Sequence, residues 1–301
     1  MEELNIDGML DEGNVVRIVP KEKPQFSSAR AQEMYENSQR NAAKLAKAKS
    51  FISDDYIKVT PNTAILIAAP SGRGKTTALY SAVTHELKRG GKVIFFTNEM
   101  GYQSVDAKVL KVLSAQLGIS LIEAANSFAS SFIVYHSSRH PELSAFDRAY
   151  DFIYRKTVEH KADLVVFDQM SNMKKHSKTG ERPDPWKAMP EFTENFVHWQ
   201  EAGKEELPPI VLIQQANTTS KKEVANLQAS LRGSKGTIAD VAVGILIVRN
   251  ADSTTFVLDK ARTDENVVLD SASFETTMVF EHGVYKPLVS ALGNSASEED
   301  E

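Results

Sequence analysis

The sequence predicts an α/β protein built on a mostly parallel central sheet with helices on both faces. Short, uninterrupted apolar runs recur along the chain, as strands buried on both faces require. Helix-patterned segments lie between them, the arrangement that parallel crossover connections need. One apolar run leads through a glycine-containing loop directly into a helix.

That run is Ala64-Ile65-Leu66-Ile67-Ala68, and the loop, Ala69 to Thr77, reads A-P-S-G-R-G-K-T-T. Thr76 to Lys88 is patterned as a helix, closed by Gly90-Gly91, since a helix commonly ends on a left-handed glycine. Strand, loop and helix together aim backbone N–H groups and the positive end of the helix dipole at one point. The spacing predicts a phosphate-binding loop for ATP, made by Ala69, Ser71, Gly72, Arg73, Gly74, Lys75, Thr76 and Thr77. Lys75 is the charge on the β/γ-phosphates and Thr76 the hydroxyl on Mg²⁺. Alanine at position 69, where the strict motif has glycine, leaves the Gly74-Lys75-Thr76 core untouched.

The remaining elements follow in order. Residues 1–50 read as a flexible arm followed by a linker or docking helix, Ser28 to Lys49, with a thin apolar stripe of Met34, Ser38, Ala42 and Leu45. Residues 51–290 form the α/β core, and 291–301 a disordered tail ending Glu-Glu-Asp-Glu. Within the core, Lys92 to Phe96 is the strand after the loop's helix. An amphipathic helix runs from Ser144 to Lys161, opened by a Ser144/Asp147 capping pair, and leads into the strand Leu164 to Phe167. Ile210 to Ile213 and Val241 to Val248 are further strands. Thr255 to Lys260 and Val267 to Leu269 read as a hairpin-like pair around Thr263 to Asn266.

Composition excludes several classes. A chain of 301 residues with 42% hydrophobic residues can bury a core. No apolar run approaches the ~20 residues of a membrane span. The absence of cysteine rules out disulfides and thiolate metal sites and fits a cytoplasmic protein, in the host cytoplasm if the source is viral. His136 and His140, with only Ser-Ser-Arg between them, lack a carboxylate at ligand spacing. A net charge of −5 places any DNA contact on local basic loops rather than on a basic surface.

Candidate catalytic residues fall where the apolar strands end. Asp168 follows four apolar residues, at the carboxyl edge where open α/β sheets bind ligands, and is expected to hold Mg²⁺, through water. Its successor is Gln169, so the base that activates water comes from elsewhere. Glu99, just past the strand beside the loop, fills that role. Gln215 ends the next apolar strand, and its neutral amide senses the γ-phosphate by hydrogen bonding. Lys260 and Arg262 lie on one side of an extended segment next to a turn, as an arginine finger does.

The ordered set A-P-S-G-R-G-K-T-T, V-I-F-F-T-N-E-M, L-V-V-F-D, I-V-L-I-Q-Q, L-R-G-S-K-G and D-K-A-R resembles the RecA-like motor domain of DnaB-type hexameric replicative helicases, including phage-type short forms, over about residues 60 to 285. The resemblance implies a RecA-like P-loop ATPase core behind a short helical arm. In it Lys75, Thr76, Glu99, Asp168 and Gln215 are the half-site of one subunit, and Lys260 and Arg262 reach the nucleotide of the next. It further implies DNA-binding loops bearing Lys174, Lys175 and Lys178 and Arg232, Ser234 and Lys235, where small residues and isolated cations track a single-stranded backbone. The implied assembly is a homo-oligomeric ring, a hexamer, with the acidic tail meeting a polymerase or primase and no membrane involved. Two departures stand out: the family's amino-terminal helical domain has no room in the fifty preceding residues, and Ser53 to Lys58 replaces its usual entry segment. A RecA-type recombinase or mediator, forming filaments on single-stranded DNA, and a non-motor regulator use the same core and stay open as alternatives.

Overall fold

The structure is a computed structural model and describes residues 26–173, 185–201, 206–216, 241–249, 254–261, 267–268 and 275–288. It divides into two units, one ending at Ala43 and the other beginning at Lys44. The first contains most of helix α1 (Ala29–Leu45), whose Arg30 pairs with Glu33 one turn on. The helix stops four residues before the expected Lys49. That residue instead opens strand β1 (Lys49–Phe51), which pairs antiparallel with β2 (Ile57–Val59).

The second unit is organised by nine strands in one sheet. Six are parallel: β3 (Ala64–Ala69), β4 (Val93–Thr97), β5 (Phe132–His136), β6 (Leu164–Asp168), β7 (Ile210–Gln215) and β8 (Val243–Arg249). Their spatial order is β8-β3-β7-β6-β4-β5, so the loop-bearing strand β3 lies between two parallel neighbours. Beyond β8 the sheet turns antiparallel through β9 (Thr254–Ala261), β11 (Glu275–Glu281) and β12 (Val284–Pro287). The short β10 (Val267–Val268) pairs with β2 and not with β9, so the expected hairpin is replaced by two separate pairings.

Strand alternation supplies both faces of the core. Ile65, Ile67, Phe95, Val166, Val211 and Ile213 pack beneath α2 (Lys75–Lys88) and α3 (Tyr102–Leu117). Leu66, Ile94, Phe96, Val165, Phe167 and Leu212 face the opposite layer of α5 (Ala149–His160) and α6 (Pro185–Glu201). Helix α4 (Leu121–Phe128) follows α3.

Two local outcomes differ in kind. Helix α2 ends as its glycines predict, with Gly90 at φ 82°. Helix α5, in contrast, begins at Ala149 rather than Ser144, and Ser144/Asp147 does not cap it. A 3₁₀ turn at Pro141–Ser144 comes first, then Ala145 is extended. The break lets Phe146 bury its ring edge-on against Phe192 at 6.2 Å, and burying an aromatic ring outweighs continuing a helix by one turn.

Candidate active site

The phosphate loop rises from the carboxyl end of β3. Ala69 is still a strand residue, fully buried and in register with Gln215 of β7, and its carbonyl accepts from the Ala216 N–H. Extended backbone makes no demand for glycine, which accounts for alanine at the motif's first position. The left-handed positions are Gly72 (φ 71°) and Gly74 (φ 99°), the latter capping α2. Lys75 Nζ donates to the carbonyls of Ala69 (2.8 Å) and Pro70 (2.9 Å), folding the ammonium over its own loop. Burial lowers its pKa, while the nearby charges of Glu99 and Asp168 act in the opposite sense. Thr76 and Thr77 stand in the first turn of α2, and Ser71 and Arg73 are exposed at the loop's rim. Arg73 Nη1 donates to the Arg249 carbonyl at the end of β8.

Strands β4 and β6 bring two carboxylates to the same edge. Their register sets Thr97 opposite Asp168, and Glu99 follows two residues later. Asp168 is 2% exposed, and its Oδ2 is buried with no hydrogen-bond partner. Burial first, and then the charge of Glu99, push its pKa up to about 7, against the pull of Lys75 and Lys108. Glu99, Asp168 and Lys75 therefore share one electrostatic cluster at the carboxyl edge, as the sequence predicts. The Asp168–Gln169 peptide is cis.

These residues fit a bound Mg²⁺. A buried carboxylate oxygen lacking a partner, beside a loop whose lysine is followed by a hydroxyl at Thr76, offers the hard oxygen donors that this ion takes.

Sequence reasoning assigned no role to three groups at the site. Asn98 joins the two carboxylate-bearing strands: its N–H donates to the Asp168 carbonyl (2.9 Å), and its Oδ1 accepts from the Gln169 N–H (3.0 Å). Its Nδ2 also reaches the Leu143 carbonyl (3.2 Å). Asparagine next to the strand end was the available signal. Lys108 of α3 lies 6.0 Å from the Tyr80 ring centre and adds a second cation to the field at Asp168. The Tyr80 hydroxyl donates to Met100 Sδ (3.7 Å), holding the segment just after Glu99 against α2.

Lys260 lies away from this cluster. It pairs with Gly244 on β8, and Gly244 pairs with Leu66, three residues before Ala69 and so about 10 Å back along the strands from the loop. Because β9 runs antiparallel to β8, the chain that continues beyond Lys260 heads for the amino edge of the parallel strands. Arg262 and the DNA-contact positions Lys174, Lys175, Lys178, Arg232, Ser234 and Lys235 lie outside the described residues, as does the acidic tail.

No protein-family model and no curated protein matches this sequence. Solved structures do. The ATPase domain of a DnaB-like helicase superposes with a TM-score of 0.56 at 13% identity, covering 88% of this chain and 100% of that one. The RadB recombinase gives 0.51 at 16% identity over 76% and 91% of the two chains. A KaiC-like protein from the hyperthermophilic archaeon Pyrococcus horikoshii gives 0.53 at 14% identity over 78% and 94%. With β3 flanked by parallel strands, a loop of phosphate-binding geometry at its end and these neighbours, the chain has the RecA-like P-loop ATPase fold.

Proposed function

We propose that the chain is an ATP-hydrolysing DNA motor of the DnaB type, acting as a homo-oligomeric ring, a hexamer, that moves on single-stranded DNA and unwinds duplex. The observation that carries the ATPase half is the meeting of Lys75, Asp168 and Glu99 at one sheet edge. The backbone of residues 70–75 cradles the β- and γ-phosphates, and Lys75 exchanges its carbonyl partners for phosphate oxygens. Glu99 orients the attacking water and takes its proton as the bond to the γ-phosphorus forms and the β–γ bridge breaks. Gln215, at the end of the strand beside β3, senses the γ-phosphate. Mg²⁺, held by Thr76 and by Asp168 through water, neutralises charge on the phosphates.

The position of Lys260 supports the ring. A cation well back from its own phosphate loop serves a neighbouring subunit's nucleotide better than its own, and Arg262 follows on the same segment. Both then complete the site in trans. Single-stranded DNA contacts fall to the loops with Lys174, Lys175 and Lys178 and with Arg232, Ser234 and Lys235, and the acidic tail meets a replication partner such as a polymerase or primase. In this reading α1 is a docking helix and 51–290 the motor. Among the described residues no helix is long and apolar enough to cross a membrane, in keeping with work on DNA in the cytoplasm.

The RadB likeness keeps the filament-forming recombinase as the second reading. One experiment separates the two: ATP-dependent unwinding of a forked duplex, run beside a strand-exchange assay. Unwinding without exchange is the expected result. Exchange without unwinding moves the protein to the recombinase class. Mixing Arg262→Ala with Glu99→Gln subunits is expected to restore part of the ATPase activity, because some interfaces then carry both intact halves. No recovery in mixed rings shown to form removes the trans assignment.

A further inference from the structure

Gly72 and Gly74, the two left-handed glycines of the loop, differ in their surroundings. A β-carbon built on Gly72 would meet nothing within 4 Å, whereas one on Gly74 would lie 2.3 Å from the hydroxyl oxygen of Tyr285 and 3.3 Å from its Cζ. The tyrosine's tip therefore rests against the bare face of the glycine that caps α2. Tyr285 comes from β12, the last strand described and the outermost of the sheet on that side.

The tyrosine itself is held from three directions. Its backbone N–H donates to Ser81 Oγ (2.8 Å), and that hydroxyl donates to the Thr77 carbonyl (2.9 Å), so β12 is tied to the first turns of α2. Its ring packs edge-on against Phe256 of β9 at 5.1 Å and against Phe280 of β11 at 5.9 Å. It is 4% exposed. A ring so fixed acts as a strut: it cannot withdraw from Gly74 without disturbing three strands and a helix.

We propose that Tyr285 is a positioning residue for the phosphate loop, setting the placement of Gly74 and hence of the Lys75 N–H and side chain that follow it. It touches no reacting atom. The inference rests on the reading that this loop binds ATP and adds a residue that no loop motif contains. Because the tyrosine acts on the loop and not on water or Glu99, its loss weakens nucleotide binding and spares the chemical step at saturating ATP.

The test compares the full-length protein with Tyr285→Phe and Tyr285→Leu, measuring affinity for a fluorescent ATP analogue, kcat at saturating ATP, and thermal unfolding. Tyr285→Phe keeps the ring packing and removes only the atom nearest Gly74; the expected result is severalfold weaker binding with kcat within threefold and little change in unfolding temperature. Tyr285→Leu is expected to bind at least tenfold more weakly. Wild-type affinity in Tyr285→Phe overturns the proposal, whatever happens to stability in either variant. A fall in kcat with unchanged affinity overturns it as well. Failure of the wild-type protein to bind the analogue sinks the ATP reading itself, and so is told apart from a failure of the tyrosine's role.

Discussion

At the scale of single residues, the site separates binding from chemistry. Lys75 already commits its donors to two loop carbonyls, so Lys75→Ala is expected to weaken nucleotide binding through both a lost charge and a looser loop. Glu99→Gln is expected to retain binding and lose roughly 10²–10⁴ in hydrolysis rate, the usual contribution of a general base. Binding isotherms beside single-turnover hydrolysis check the pair, and near-normal turnover in Glu99→Gln removes it as the base. His85 makes a different prediction. Burial, with Arg89 as the next cause, depresses its pKa to about 4, so its 3.5 Å approach to Asp54 is not an ion pair at neutral pH. The unfolded chain takes up the proton first, near pH 6.5. Stability is therefore whole above pH 6.5 and falls as pH drops toward 4, by up to about 3 kcal/mol from this residue. Denaturant unfolding of His85→Gln between pH 4 and 7 is expected to show a correspondingly flatter dependence.

At the scale of elements, legibility followed chemistry and continuity. Strands β3, β4, β6, β7 and β8 were readable because burial on both faces leaves unbroken apolar runs. Strand β5 was not, since every residue of the edge strand is only half-buried and Phe132 to His136 carries no such mark. Helix α6 starts at Pro185 and contains Pro190, two residues that read as breakers although its Phe192, Phe196 and Trp199 anchor one whole core layer. The β11–β12 hairpin depends on partners far away in the chain, and so does the strut at Tyr285. Helix α4, eight residues long, shows how local terms matter in short elements. Ser120 and Glu123 form a reciprocal capping box, so Ser120→Ala is expected to cost about 1 kcal/mol in urea unfolding without altering ATP affinity.

At the scale of the whole molecule, the candidate site gathers residues from four strands that the sequence spreads over 150 positions, from Ala64 to Gln215. The phosphate loop and Asp168 could be placed on this map from sequence alone, because topology puts every parallel strand's carboxyl end on one edge. What could not be read was the coupling between strands, of which Asn98 is the plainest case. Nothing in its own segment says that it will bond across to residues 168 and 169.

The position of β3, with parallel partners along both sides, carries a kinetic meaning. Its amides can exchange with solvent only if two ladders open together, whereas the edge strands β5 and β12 need lose just one. Hydrogen exchange in the free protein is expected to rank β3 among the slowest segments, near the global unfolding limit, with β5 and β12 faster. The platform beneath the phosphates would then stay fixed through each catalytic cycle, and any displacement that turns hydrolysis into movement would be carried by the outer strands. An exchange rate in β3 that rises on ATP addition while the edges stay unchanged would reverse that assignment of moving and stationary parts.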